Sequence, residues 1–537
     1  MRIRPILTAA LLIAVVPALP AQEDPGKKTA PAILIQLKSL EGILSDLRYL
    51  AKLTEQDEQL KQADELLKMY VDSSGIDVKR PFALYGDISP GLQDSPVVLL
   101  IPIADEKAFV GLLDGFGIKA EKDKDGVYTI DNIPGAPIPV TVYFRFANKY
   151  AYVSVMEKGN IAEKKLLKPE VVLPKAGDTS LVSLSLRFDG LPDIFKQIAL
   201  GQIENKLAEA KEQNPPNETP ALKKLRHAMI DMVSKRIKML LNDGEEMTIK
   251  FGVDQKKDDI SADFSFKAKK GSKLAKEMES VGRASSLFSA LTSDNTAIRI
   301  ISALALPAEI RNLIGPAIDD AVKDAITKET DPGKIKVMKT VFDAIVPTLK
   351  SGELDAGLAL IGPDKDKHFT VVGGAKIVKG KGVEDAVREL HKLMPEKDSK
   401  NLILDATSVG DVKVHKLIAP DSDPEAKKLL GEASGYIAIR DDVLLVAAGP
   451  DALKALKDAL AASPKSSSTL LRADISMARA AGLDSKNPQA AKVAKEVFGE
   501  DSKDDKVTIV VEMGEKLKVS LSAKAKIVTF GAKAAKP

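Results

Sequence analysis

Apolar residues in this chain follow two rhythms: period-two runs around short polar turns, and stretches of helical spacing between them. Tyr143-Phe-Arg-Phe-Ala-Asn-Lys-Tyr-Ala-Tyr-Val-Ser-Val-Met156 is two such runs around Ala147-Asn148-Lys149, which predicts a β-hairpin. Helical spacing from Asn160 to Leu167 predicts a helix behind it. Tyr436 to Ala448 has the same plan, with Arg440-Asp441-Asp442 at the turn. Gly449-Pro450-Asp451 follows, then a predicted helix through Leu460, with Pro450 suited to a first helical turn. Alternation puts Val153 and Val155 on one face and likewise Leu445 and Ala447, and the reading turns both pairs toward a core.

The flanks agree in order. Val97 to Ala104 reads as a strand and Glu106 to Phe116 as a helix before the first hairpin; Phe369 to Val378 and Val383 to Met394 do so before the second. Behind the hairpins lie the strand-like runs Ser180 to Phe188 and Thr469 to Ile475. Each half closes on a further hairpin, Met247 to Val253 with Ile260 to Lys267, and Val507 to Glu512 with Leu517 to Lys524. Each opens on an apolar strand, Ala32 to Leu37 and Thr296 to Leu304, followed by a long helical stretch. Such correspondence argues for duplication. The expected fold is therefore α+β, with repeated units at residues 30–285 and 290–532. Each is an antiparallel or mixed sheet with long amphipathic helices packed on it.

The helical inserts carry dense polar faces. Ile43 to Tyr70 is one; Asp193 to Gln213 and Ala221 to Leu241 form a pair broken at Asn214-Pro-Pro-Asn-Glu-Thr-Pro220. Pro307 to Lys328 and Lys334 to Leu349 form another, broken at Thr330-Asp-Pro-Gly333. Apolar stripes of this kind cover a sheet. The sharper reading is a groove between helices and sheet that takes an apolar ligand.

The start of the chain changes the picture. Met1-Arg-Ile-Arg-Pro, the apolar run Ile6 to Val16 and Pro17-Ala-Leu-Pro-Ala21 form a secretory signal, expected to be cut after Ala21 to leave 22–29 as a flexible mature start. The apolar run is shorter than the roughly 20 residues a membrane span needs. The expected location is outside the cytoplasm, periplasmic or secreted, with no transmembrane span. Lys and Arg total 79 against 76 Asp and Glu, a net charge of +3 that offers no field for nucleic acid. The absence of cysteine excludes disulfides, zinc–thiolate sites and iron–sulfur clusters.

No Walker loop, G-x-S-x-G elbow, S-x-x-K pair or H-E-x-x-H helix occurs, and Gly373-Gly374 and Gly380-Lys-Gly382 are wrongly ordered for a phosphate cradle. Glu121-Lys-Asp123-Lys-Asp125-Gly126 has the alternation of a calcium loop, but its twelfth position is Asn132 instead of a bidentate Glu. Similar Asp/Lys turns at 364–367, 255–259 and 502–506 mark it as solubilising turn chemistry. His227, His368, His391 and His415 show no ligand spacing and read as surface or partly buried structural imidazoles, although adjacent elements can bring His391 near His415. The expectation is no catalytic residue, no cofactor and no metal.

Aromatic residues are unevenly spread. Seven of the 8 Tyr and eleven of the 15 Phe precede residue 289. Packing accounts for most of them; the functional reading is an exposed row, Tyr143, Tyr150 and Tyr152, facing a ligand or partner. Gly75-Ile-Asp-Val-Lys-Arg-Pro-Phe-Ala-Leu-Tyr-Gly86, running from a helix end into a strand before Pro96-Val-Val-Leu-Leu-Ile-Pro102, resembles secreted bacterial proteins with duplicated α+β units, a group that brings no assigned activity or catalytic residues. The expected function is a non-enzymatic binding or structural protein of the cell envelope or periplasm, its partner unknown. The alternative is a carrier of lipid or another apolar ligand beneath helices. An enzyme built on carboxylates alone ranks third, since such clefts are usually aromatic-lined and Trp is absent.

Overall fold

A computed structural model describes residues 30–56, 74–91, 95–131, 140–213, 215, 218, 220–282, 285–289, 291, 295–418, 424–431, 434–466, 468–483, 488–499 and 504–535. The export signal and the 22–29 segment lie outside the described residues, as do Asn132 and the second part of the Ile43–Tyr70 stretch. The chain is mixed α and β, with antiparallel strand pairing. It divides into two compact units, residues 1–202 with 240–269, and 203–239 with 270–537.

The first unit holds ten described strands: β1 (Ile33–Leu37), β2 (Phe82–Gly86), β3 (Val97–Pro102), β4 (Glu121–Lys122), β5 (Tyr128–Ile130), β6 (Val142–Ala147), β7 (Tyr150–Val155), β8 (Ser180–Arg187), β9 (Gly244–Asp254) and β10 (Asp259–Ala268). They lie in the order β4-β5-β6-β7-β3-β2-β1-β8-β9-β10. The second unit has β11 (Thr296–Ala305), β12 (Glu353–Ile361), β13 (Thr370–Lys376), β14 (Leu402–Val409), β15 (Val412–Leu417), β16 (Gly435–Arg440), β17 (Val443–Ala448), β18 (Thr469–Ser476), β19 (Lys506–Glu512) and β20 (Lys516–Lys524). Their order is β14-β15-β16-β17-β13-β12-β11-β18-β19-β20, the first order with ten added to every label.

The registers agree as well. Hairpin β6–β7 turns through Asn148 and Lys149, both left-handed at φ 52° and 64°, and β16–β17 turns through Asp441 and Asp442. Setting Tyr150 level with Val443, the first residue after each turn, aligns Val153 with Val446. Across the first sheet Val153 pairs with Leu99, then Leu84, Ile35 and Leu184. Across the second, Val446 leads to Gly373, Leu358, Ile300 and Ala473. The next ladder breaks between Ser180 and Val182 in one unit and between Thr469 and Leu471 in the other. Both breaks fall at the same distance from the aligned residues, four strands away from the turn that set the alignment.

Helices are α1 (Leu40–Leu53), α2 (Glu106–Gly115), α3 (Asp193–Glu212), α4 (Pro220–Asp243), α5 (Lys273–Val281), α6 (Ala308–Lys328), α7 (Pro332–Ser351), α8 (Gly380–Leu393), α9 (Ala452–Ala461), α10 (Pro488–Phe498) and α11 (Lys526–Ala534). Local chemistry sets their starts. Asp105 caps α2 by accepting from the Lys107 and Ala108 N–H groups, and Asp331 caps α7 with Pro332 at the first turn. The predicted helix 160–167 is instead two 3₁₀ turns, Lys158–Ile161 and Glu163–Lys165, then the short α-turn Pro169–Val172. Lys168 is extended because it precedes proline, which cuts the helix short.

The cores lie where both sheet faces are covered. In the second unit α9 brings Leu456 and Ala452 onto Val372, Ala438, Leu445 and Ala447, while α8 covers the other face at β16. Gly374 belongs to this packing: a Cβ there would meet the Leu444 carbonyl at 2.4 Å. In the first unit the 3₁₀ segment and Val172 cover Tyr85, Leu100, Tyr150 and Tyr152, and α2 covers Phe144 on the other side.

Candidate functional site

Tyr143, Tyr150 and Tyr152 share one sheet face, but that face is closed. Tyr150 and Tyr152 are 1% and 0% exposed, packed beneath Ile161 and Val172, and Tyr143 lies half-buried beside them. Burial raises the phenols of Tyr150 and Tyr152 and pushes Tyr85 up to about 12. The exposed tyrosine row is thus corrected to a core layer. Alternation gave the shared face, but the cover comes from residues after the hairpin.

The calcium-like turn spends its carboxylates on itself. Asp123 Oδ1 accepts the Asp125 and Val127 N–H groups, each at 2.9 Å, and its Oδ2 meets Lys158 Nζ at 2.5 Å. Asp364 does the same for Asp366 and His368. These are self-capping turns.

The larger feature is a sheet face that the sequence did not single out. Residues paired across antiparallel strands point to the same side. In the first unit the row Val153, Leu99, Leu84, Ile35, Leu184, Ile249, Phe264 crosses seven strands without a polar side chain. The adjacent row Ile101, Phe82, Leu37, Val182, Phe251, Ala262 is apolar too. Ile249 is 46% exposed and Phe251 38%. Behind them, the opposite face of β8–β10 carries Ser183, Lys250 and Asp263, then Ser185, Thr248 and Ser265. The second unit repeats this. Val446, Gly373, Leu358, Ile300, Ala473, Ile509 and Leu521 form the row, with Leu358 44% and Leu521 44% exposed, while Asp474, Thr508 and Ser522 lie behind. Each row is about 29 Å long at a strand spacing of about 4.8 Å.

One charged cluster stands out in the second unit. His415 on β15 is fully buried, its Nε2 2.9 Å from Glu384 Oε2 on α8, and its Nδ1 accepts the Asp405 N–H at 3.1 Å. Nδ1 as acceptor fixes the ring hydrogen on Nε2, which donates to Glu384. Arg388 Nη2 lies 2.5 Å from Glu384 Oε1 and 2.6 Å from Asp405 Oδ1, and holds the Asp405 carboxyl below its ordinary range. Ligand atoms of Glu384, Asp405 and His415 come within 4.8 Å of one another. Arg388 bridges the two carboxylates and both ring nitrogens are engaged, so the donor set reads as a salt-bridge network. His415 departs from the expected partly buried imidazole, and His391 makes no part of the network. The signal available was Glu384 and Arg388 at i, i+4 on a predicted helix. In the first unit Tyr128 takes the register position of His415 and stacks on Phe144 at 4.7 Å.

No family model, curated protein or solved structure matches this chain.

Proposed function

We propose that this chain is an exported, non-enzymatic binding protein of the bacterial envelope, built from two repeated units, and that its ligand is apolar. The observation that carries the reading is the apolar row of each unit, exposed at Ile249 and Phe251 in one and at Ile300, Leu358 and Leu521 in the other, and backed by polar residues on β8–β10 and β18–β20. Solvent-exposed apolar surface of this extent marks a binding surface. Rows lacking any charge favour an apolar occupant such as an acyl chain. The common strand order and the coincident ladder breaks support the repeat; the cationic start and short apolar run support export. Between the two functions the sequence leaves open, the exposed rows favour the carrier of lipid or another apolar molecule over a purely structural role.

Native mass spectrometry of protein purified from its source tests this. The expected result is a co-purifying apolar small molecule, with the delipidated protein binding a fluorescent fatty acid and Ile249→Lys weakening binding at the first unit's row about tenfold or more, since the lysine charge must be desolvated. Protein that carries no such molecule and binds neither fatty acid nor phospholipid overturns the reading. A stoichiometric protein partner seated on these rows overturns it in favour of a protein-binding surface.

A further inference from the structure

We propose that His415 is a proton-sensing clasp that locks α8 onto the sheet of the second unit in acid. The ring sits at 0% exposure between two carboxylates and one guanidinium. With a neutral ring, Glu384, Asp405 and Arg388 leave one excess negative charge around a buried imidazole. A proton on Nδ1 balances it.

The geometry has a place for that proton. Nδ1 lies 3.9 Å from Asp405 Oδ1, so a new N–H meets the carboxylate of the residue whose amide it displaces. Asp405 is free to give up its amide bond. It sits at φ 53°, in the break of the β14–β15 ladder between the Ile403–Lys416 and Thr407–Val414 pairs, where its N–H bonds the His415 ring. Protonation therefore exchanges Asp405 N–H···Nδ1 for Nδ1–H···Oδ1 and leaves Nε2–H on Glu384, so the imidazolium bridges helix and strand. Among the described residues the charged groups facing the ring are Glu384 and Arg388 from α8 and Asp405 from β14. Lys413 stands on the same face of β15, and β16 presents the apolar Ile437. Imidazole is the side chain whose charge ordinarily changes between pH 5 and 8. The consequence travels along α8, where Glu389 holds Lys336 of α7 at 3.0 Å. Tyr128 occupies the register position in the first unit, which confines the device to the second.

Four histidines make the full chain tractable by labelled-histidine NMR. On acidification from pH 8 to 5 the His415 nitrogens should pass from the Nε2–H tautomer to the doubly protonated ring. Hydrogen exchange, corrected for intrinsic rates, should show Asp405 losing amide protection while residues 380–393 gain it. His415→Gln should abolish both changes. Glu384→Gln, which keeps the shape of the acceptor, should move the gain in α8 to lower pH, because one of the two neighbouring carboxylates is lost. A His415 ring that keeps its Nε2–H tautomer at pH 5 overturns the proposal. So does a gain of α8 protection that is unchanged in Glu384→Gln.

Discussion

Tyr152 has a fully buried ring and a hydroxyl that works at its tip, donating to the Leu167 carbonyl at 2.9 Å and accepting from Asn148 Nδ2 at 3.1 Å. It thereby ties the hairpin turn to the 3₁₀ segment that covers it. Tyr152→Phe keeps the packing and strands both partners, so a urea melt should show a loss of about 1–3 kcal/mol. Asp178 makes a different residue-scale prediction. Burial raises its carboxyl, but Lys250 Nζ at 2.6 Å and the Ser180 hydroxyl and N–H outweigh that and hold it at about 2, below the ordinary 3.8. A carboxyl depressed in the folded state stabilises above its unfolded value and loses that contribution as pH falls through the folded one. Stability should therefore drop between about pH 4 and pH 2, and Asp178→Asn should flatten that part of the profile. A thermal melt at each pH reads it. Neither role was visible in the sequence: Tyr152 needed the cover from residues 161–172, and Asp178 needed a lysine 72 positions away.

At the scale of elements, the alternating runs located the strands well, because a period of two is imposed by the pleat itself. The four long helices 193–212, 220–243, 308–328 and 332–351 were legible for the same kind of reason, with prolines marking their breaks. What alternation does not supply is which face is the deeper one. Tyr150, Tyr152 and Ser154 are all buried on one face of β7, while the other carries buried Ala151 with half-buried Val153 and Val155; aligned from the turns, Tyr152 and not Val153 matches Leu445. Both faces of this hairpin are packed, so hydrophobicity on each is expected and a single core face is not. The segment after the hairpin differs between units for a local reason, the proline at 169. In the second unit α9 runs uninterrupted and drives Leu456 to 0% exposure against Val372 and Leu445. Leu456→Ala should cost about 2–5 kcal/mol by chemical denaturation, the cavity being closed in by sheet. A loss under 1 kcal/mol would mean that α9 does not anchor the core.

Across the whole molecule, the sequence order of elements predicted similar halves, but the strand order had no signal of its own. The central strands β1 and β11 pair with strands distant in sequence, β8 across 145 or more residues and β18 across more than 160, and such pairings are set by which faces pack. The apolar rows were hidden for the same reason: each draws one residue from every strand, so no local window contains it. That construction makes a last prediction. If each unit binds through its own row, the two faces should fail separately. Ile249 in the first unit and Ile509 in the second hold matching positions, one strand out from Leu184 and Ala473. Ile249 is 46% exposed and Ile509 half-buried, and lysine at a partly exposed strand position leaves stability within a few kcal/mol, checked by the melt of each variant. Titration of a fluorescent fatty acid into the delipidated protein should then give two equivalents for the parent chain. Ile249→Lys and Ile509→Lys should each give one, and the double variant none. Full stoichiometry in the double variant would remove the rows from the binding account, and loss of all binding in either single variant would mean that one face alone carries the ligand.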